Sequence, residues 1–190
     1  MKPINDSEIQ KLNEYLKSKK EYRNAFLLRI NYFRTLGFFE IPEKEFDILS
    51  NYFEVITDCI LNEKDEKDFT TLKLMIILSQ TFYVNRNGEK FYLIHKLKGH
   101  KLFEEVDFFK KYLIHCINEE MEKSDNNSNT KIGNKAKKGI VFAVMLPFCN
   151  YMLEFGILKD KLLEINESIY KEYELGEDLI KNINMIIESK

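Results

Sequence analysis

A strongly apolar stretch followed by a turn restricts the fold of this chain more than any other feature. The stretch, Leu72–Tyr83, is apolar on more than one face, which predicts a central helix covered on several sides. The turn sequence Asn85–Gly88 follows it, and then the short apolar segment Phe91–His95. The flanking segments Thr81–Asn85 and Lys90–His95 would also suit a β-hairpin. The helical spacing before the turn favours a helix, a turn and a short helix instead.

Apolar residues recur at helical spacing along most of the remaining chain. The clearest stripe has steps of three and four residues and comprises Phe46, Leu49, Phe53, Ile56 and Ile60. Similar stripes comprise Tyr22, Phe26, Ile30 and Phe33; Leu102, Val106, Phe109, Leu113 and Cys116; Leu158, Leu162, Ile165 and Ile169; and Leu179, Ile183 and Ile187. The sequence therefore predicts an all-α protein of about seven to eight helices. They form either an irregular helical bundle or an armadillo- or HEAT-like helical stack.

The chain length of 190 residues predicts a single helical domain, residues 1–190. A polar, low-complexity segment interrupts the helical pattern and predicts a mobile loop at residues 122–138. In the apolar helix expected at Ile140–Phe155, Pro147 is expected to produce a kink. No apolar stretch approaches the roughly 20 residues that span a bilayer, and the N-terminus lacks the apolar core of a signal peptide.

The cysteines and the net charge restrict the compartment and the class of partner. Cys59, Cys116 and Cys149 lie far apart, each within an apolar helical run, and none has the spacing of a zinc or redox motif. We expect buried free thiols and a reducing, cytoplasmic location. The net charge of −2 gives no reason to expect a polyanionic partner such as nucleic acid.

Catalytic and metal-binding patterns are missing from the sequence. His95, His100 and His115 are expected to have structural or surface roles, and the acidic residues have the spacing of solvated helix faces. There is no nucleophile elbow, Walker loop or dinucleotide fingerprint. We therefore expect no enzymatic activity, no cofactor and no metal.

Two clusters of basic residues are the candidate interaction sites. The first follows the predicted central helix and comprises Arg86, Lys96, Lys98, His100 and Lys101. The second lies at the end of the predicted loop and comprises Lys131, Lys135, Lys137 and Lys138. Because loops on rigid scaffolds often carry function, we expect both clusters near the rim of a groove between helices that binds another protein. The second cluster also suits an anionic lipid surface, at about 1 kcal/mol per charge.

Several apolar segments are similar to those of a known helical family. They are Leu72–Tyr83, Phe91–Leu93, Leu97–Phe103, Val106–Phe109 and Met152–Ile157. In this order they resemble the SBF2-type helical domain, which occurs in SET-binding factors, a group of myotubularin-related pseudophosphatases, and in stand-alone proteins of unassigned function. The family usually has Trp where this chain has Phe103 and Phe109. The resemblance implies an all-helical module linked to Rab GTPases and membrane traffic, with no catalytic residue.

These observations together predict a non-enzymatic, cytoplasmic helical protein-interaction module in vesicle-traffic or small-GTPase regulation. The expected partner is another protein, such as a small GTPase or a trafficking factor, with at most peripheral membrane contact. Two alternatives stay open. One is a GTPase exchange or activating factor that acts through groove contacts, and the other is a lipid- or small-molecule-binding helical protein.

Overall fold

The computed structural model describes residues 6–64, 68–127 and 133–189. In these residues the chain forms nine α-helices and one two-stranded sheet, and eight of the helices have 11 or more residues. The helices are α1 Asp6–Ser18, α2 Lys20–Thr35, α3 Glu43–Glu63, α4 Phe69–Ser79, α5 Ile94–Leu97, α6 Val106–Asn127, α7 Asn134–Phe155, α8 Lys159–Tyr173 and α9 Glu177–Ser189; the strands are β1 Tyr83–Arg86 and β2 Glu89–Tyr92. The prediction of an all-α protein with about eight helices is confirmed.

The chain divides into two compact units, Met1–Leu102 and Phe103–Lys190. Each unit has its own buried core, and the two are described separately. That both form one domain, as the chain length predicts, stays a prediction.

In the first unit, α3 and α4 supply most of the core. The predicted stripe of α3, from Phe46 to Ile60, is buried at all five of its positions. Helix α4 buries seven of its 11 residues on more than one face, so a covered central helix is confirmed, although it spans Phe69–Ser79 and does not reach Tyr83. Helix α1 packs against α2 and α3, and α2 packs against α4. As a result, α2 has its inner face against two neighbouring helices.

Arg23 and Asp68 form a buried ion pair inside the first unit, and the exposed Glu63 also contacts the arginine. The guanidinium of Arg23 on α2 is fully buried, with 3.1 Å from Nη1 to Oε1 of Glu63 and 3.3 Å from Nη1 to the carbonyl oxygen of Leu16. Its Nη2 lies 3.4 Å from Oδ2 of Asp68, which is also fully buried. Burial alone would lower the pKa of Arg23, but the hydrogen bond to Glu63 and the charge of Asp68 raise it above its ordinary value. The buried cation is thus compensated by anions from the end of α3 and the start of α4.

The segment after α4 is a β-hairpin, so the preference for a helix, a turn and a short helix is wrong where it continues the central helix to Tyr83, which begins β1. Strands β1 and β2 are antiparallel, with Tyr83 opposite Tyr92 and Arg86 opposite Glu89. The two turn residues, Asn87 and Gly88, have φ of 54° and 89°. Positive φ at both positions is the signature of the two-residue hairpin turn that Asn-Gly favours. A short helix follows the turn as predicted, but it is Ile94–Leu97, and Phe91 and Tyr92 of the predicted segment belong to β2.

A third segment supports β1 on its other side. The amide of Tyr83 donates to the carbonyl oxygen of Phe39 at 3.0 Å, and the amide of Ile41 donates to the carbonyl oxygen of Tyr83 at 2.9 Å. The start of β1 is therefore paired with residues 39–41 as well as with β2. Local apolar spacing does not reveal this pairing, because the partner lies about 40 residues earlier in the chain.

The second unit contains α6 to α9. Helix α6 packs against α7 and α8, and α9 packs against α7 and α8. Its core includes stacked aromatic rings, with 4.0 Å between the ring centres of Phe103 and Phe155. The predicted stripe of α8 is buried at Leu162, Ile165 and Ile169, but Leu158 lies before the helix and is 61% exposed. Leu158 therefore does not belong to that stripe.

The predicted loop at residues 122–138 is corrected at both ends. Helix α6 continues to Asn127, and α7 already begins at Asn134. The intervening residues 128–132 lie outside the described residues. Pro147 lies inside α7, which is 22 residues long. Contrary to the prediction, α7 is long and apolar enough to cross a membrane by length and composition, although core helices of soluble proteins pass the same test.

Candidate interaction surface

Arg86 in the first basic cluster is held by contacts within its own unit. It lies at the end of β1, and its Nε donates to Oε1 of Glu43 at 3.0 Å. Its guanidinium lies 4.4 Å from the ring centre of Phe91 and 5.7 Å from that of Phe46. The hydrogen bond from Arg86 lowers the pKa of the Glu43 carboxyl. These contacts fasten the hairpin to the first turn of α3, so Arg86 has a structural role.

Two further members of this cluster also contact α3. Lys96 Nζ lies 3.8 Å from Oδ1 of Asp47. Nε2 of His100 lies 3.0 Å from Oδ1 of Asp58, and Nδ1 of His100 accepts the amide of Leu102 at 3.1 Å. Because Nδ1 accepts a hydrogen bond, Nε2 bears the ring hydrogen and donates a hydrogen bond to Asp58. Lys96 on α5 and His100 just after it therefore join the segment that follows the hairpin to α3.

The other predicted site residues are more exposed. Lys98 and Lys101 are exposed and take part in none of the ion pairs of the described residues. In the second unit, Lys135, Lys137 and Lys138 lie in the first two turns of α7. Lys137 and Lys138 line a cavity of about 190 Å³ beside Tyr173 of α8. Lys131 lies outside the described residues, so the second cluster is only partly described.

A group of exposed apolar side chains, six of the nine large ones exposed among the described residues, lies on a part of the first unit that holds none of the predicted interaction residues. Its six residues are 38–60% exposed: Leu28, Tyr32, Phe33, Leu36, Phe38 and Phe39. We refer to these six residues as the α2 apolar surface. A typical protein surface has scattered single apolar residues, whereas a group of this kind marks an interaction site.

The helix geometry explains why these side chains lie together. Leu28, Tyr32 and Leu36 follow one another at intervals of four residues, so they lie on successive turns of one helix face. The rings of Tyr32 and Phe33 are in edge contact, with 6.1 Å between their centres. The amide of Phe38 donates to the carbonyl oxygen of Phe33 at 3.2 Å, as the chain turns at the end of α2. The surface is therefore continuous from α2 into the loop that follows.

The turn that ends α2 depends on Gly37. Its φ is +83°, and its amide donates to the carbonyl oxygen of Arg34 at 3.0 Å. Together with the bond from Phe38 to Phe33, this is the Schellman motif, a helix ending that favours glycine at this position. The motif places Phe38 and Phe39 beside the last turn of α2.

Comparison with protein families, with curated proteins and with solved structures finds no match to this chain. The resemblance to the SBF2-type helical domain therefore stays a prediction.

The described residues contain no group of three or more metal-binding side chains. Nε2 of His115 lies 3.4 Å from Oε1 of Glu119, one turn further along α6. This pair has the four-residue helical spacing, which the sequence analysis overlooked. All three cysteines are buried free thiols, as predicted. Burial raises the pKa of Cys149 to about 12, although its hydrogen bond to Asn166 works in the opposite direction.

A signal for the α2 apolar surface is present in the sequence. Helix α2 has two apolar stripes, and the analysis used only the one from Tyr22 to Phe33. In the structure the buried side of α2 is centred on Arg23 and Leu27, whereas Phe33 is 38% exposed. The second stripe, at Leu28, Tyr32 and Leu36, then lies on the outer side. A search for helices with apolar residues on opposite faces would have found it.

Proposed function

We propose that this chain is a non-enzymatic helical interaction module that binds a protein partner through the α2 apolar surface. One observation supports this above all: α2 is apolar on two opposite sides. Its inner side has Leu27 fully buried, while Tyr32 on its outer side is 60% exposed. Single exposed apolar residues are ordinary on a protein surface, but a group of them on one helix face marks a surface that a partner covers. The outer side of α2 is therefore as apolar as a buried surface, but no element of its own unit covers it.

The position of the proposed surface differs from the one expected from the basic clusters. Arg86 and Lys96 form ion pairs with acidic residues of α3, and His100 donates a hydrogen bond to Asp58 on the same helix. Charges that are already paired contribute little further attraction to a partner. Large, exposed aromatic and leucine side chains lose unfavourable contact with water when a partner covers them. We therefore place the binding energy on the α2 apolar surface and assign the first basic cluster mainly to the structure of the hairpin.

A cytoplasmic location and a role in vesicle-traffic or small-GTPase regulation are part of the proposal. They depend on the resemblance to the SBF2-type domain and on the free cysteines. A nucleotide-release assay with a panel of small GTPases tests the alternative of an exchange factor. Accelerated release that persists in a Tyr32→Asp variant would contradict the proposed function, because the effect would not need the α2 apolar surface.

The proposed function is tested by capture experiments with matched variants. Tyr32→Asp places a charge in the middle of the α2 apolar surface, whereas Met185→Asp places one on α9 of the second unit. The two side chains are similarly exposed, at 60% and 58%. We expect the wild-type chain and Met185→Asp to retain the same protein from source-cell lysate, and Tyr32→Asp to lose it. Equal capture by all three proteins would show that the partner binds elsewhere.

A further inference from the structure

Exposed residues of opposite charge flank the α2 apolar surface in the sequence. Arg29 follows Leu28 on α2 and is exposed, and Glu40 follows Phe39 in the loop and is also exposed. Neither takes part in an ion pair within the described residues. The only other charged residue between them is Arg34, whose Nε donates to Oδ1 of Asn31 at 2.7 Å. A surface with opposite charges at its two ends is complementary to itself after rotation by half a turn.

The area of this surface is close to what a stable dimer needs. A large apolar side chain covers about 150–250 Å², and the six side chains are 38–60% exposed. Together they present roughly 500–600 Å², at the upper end of the largest apolar patches on monomeric proteins. An interface of standard size buries about 800 Å² on each partner. Arg29, Glu40 and neighbouring polar residues would supply the remainder as a polar rim.

We infer that a second copy of this chain covers the α2 apolar surface in a two-fold symmetric dimer. This inference rests on the proposed function, because it identifies the protein bound at the same surface. The two α2 helices are antiparallel across the axis, and Arg29 of each copy lies near Glu40 of the other. The apolar side chains around Tyr32 and Phe33 lie between these two charge pairs. The dimer therefore contains two Arg29–Glu40 pairs, one at each end of the interface.

A second copy fits the charges better than a lipid surface does. An anionic membrane would attract Arg29 but repel Glu40, and burial of an unpaired carboxylate beside the apolar residues is unfavourable. A dimer gives both groups an opposite charge at the edge of the interface. Electrostatic complementarity of this kind fixes the orientation of two partners more than it adds affinity. This predicts that the charges decide whether the dimer forms in this antiparallel arrangement.

Sedimentation velocity of the full chain over a wide range of concentration tests this inference. We expect a monomer–dimer equilibrium for the wild-type chain and for Met185→Asp, and a monomer for Tyr32→Asp. Arg29→Glu and Glu40→Arg should each weaken the dimer about tenfold, because each places like charges together twice. The double variant with both changes should regain most of the lost affinity. Circular dichroism of every variant establishes that it is folded.

Other outcomes would overturn the inference. A wild-type chain that stays monomeric at every concentration would do so, as would a dimer that is unaffected by Tyr32→Asp. Failure of the double variant to recover would reject the antiparallel arrangement. If a monomeric wild-type chain binds phosphatidylserine vesicles and Tyr32→Asp does not, the surface binds lipid. If the monomeric chain still retains a different protein through Tyr32, only the dimer is rejected and the proposed function stands.

Discussion

Arg23 and Asp68 are both fully buried in the first unit, and 3.4 Å separates Nη2 of the arginine from Oδ2 of the aspartate. The two residues are 45 positions apart in the sequence, on α2 and immediately before α4. A buried charge is tolerated only when an opposite charge or several hydrogen bonds compensate it. The pair therefore makes the folding of α2 depend on the position of the α4 start.

We expect Arg23→Met to lower the free energy of unfolding by about 3–5 kcal/mol, because it leaves a carboxylate buried without its cation. Urea unfolding monitored by circular dichroism measures the loss. The exposed pair Lys17–Glu14 offers a control, since Lys17→Met should change the free energy by no more than about 1 kcal/mol. A double variant, Arg23→Met with Asp68→Leu, should recover much of the loss. If Arg23→Met lowers the free energy of unfolding no more than Lys17→Met does, the role assigned to the Arg23–Asp68 pair is contradicted.

The ion pair between Glu43 and Arg86 predicts a pH-dependent stability. The pKa of Glu43 is lower in the folded chain than in the unfolded one, chiefly because Arg86 donates a hydrogen bond to it. Its contribution is therefore present above the unfolded pKa, about 4.3, and is lost as the pH falls through the folded pKa. We expect Glu43→Gln to melt below the wild-type chain at pH 7 and at nearly the same temperature in strong acid. Thermal melts over a pH series measure this difference.

The control for this prediction is Glu45→Gln, which changes an exposed acid of the same helix turn. Glu45 takes part in no ion pair among the described residues. Its melting temperature should stay close to that of the wild-type chain across the series. If the melting temperature of Glu43→Gln lies as far below that of the wild-type chain in acid as at pH 7, the pair with Arg86 is not the cause of the difference.

The buried cysteines predict low thiol reactivity in the folded protein. Cys149 donates to Oδ1 of Asn166 at 3.4 Å, and burial raises its pKa to about 12. Burial also raises the pKa of Cys59. Because the thiolate is the reactive form, we expect Ellman's reagent at pH 8 to label the native chain slowly and all three cysteines in denaturant. An added exposed cysteine, Ser18→Cys, should react at once, and equally fast labelling of the native thiols would contradict their burial.

Two glycines predict opposite effects of the same substitution. Gly88 has a φ of +89° in the hairpin turn, so Gly88→Ala should destabilise the chain by about 1 kcal/mol. Gly139 lies inside α7 with open space around its Cβ position, so Gly139→Ala should stabilise the chain by about 0.5–1 kcal/mol. Chemical unfolding of both variants measures the two changes. Stabilisation by Gly88→Ala would contradict the assigned turn geometry.

The sequence predicts the helices far better than it predicts their surroundings. The α3 stripe from Phe46 to Ile60 is buried, because a long helix with a single apolar face packs with that face towards the core. Helix α2 has two such faces, and local spacing does not say which one α1 and α4 cover. The sequence does not identify the hairpin, because a short apolar run before a turn fits both the spacing of a helix and the alternation of a strand. The pairing of Phe39 and Ile41 with Tyr83, which supports the strand, is not local.

The candidate site shows the same limitation. Basic residues stand out in a sequence, so Arg86, Lys96 and His100 were selected, but their acidic partners lie about 40 residues earlier on α3. Paired and unpaired cations look alike until the fold brings such partners together. The α2 apolar surface was missed for the converse reason, because Tyr32 and Leu36 look like core residues until their exposure is known.

The hairpin also has a consequence for solubility. Strand β1 is paired on one side with β2 and near its start with residues 39–41, whereas β2 has no second strand partner within the described residues. An open strand edge is a place where another chain can add its backbone and begin to aggregate. This edge is only four residues long, and its first two residues, Glu89 and Lys90, are exposed and charged. Shortness and charge at β2 therefore protect the protein from uncontrolled strand addition while leaving the tight turn intact.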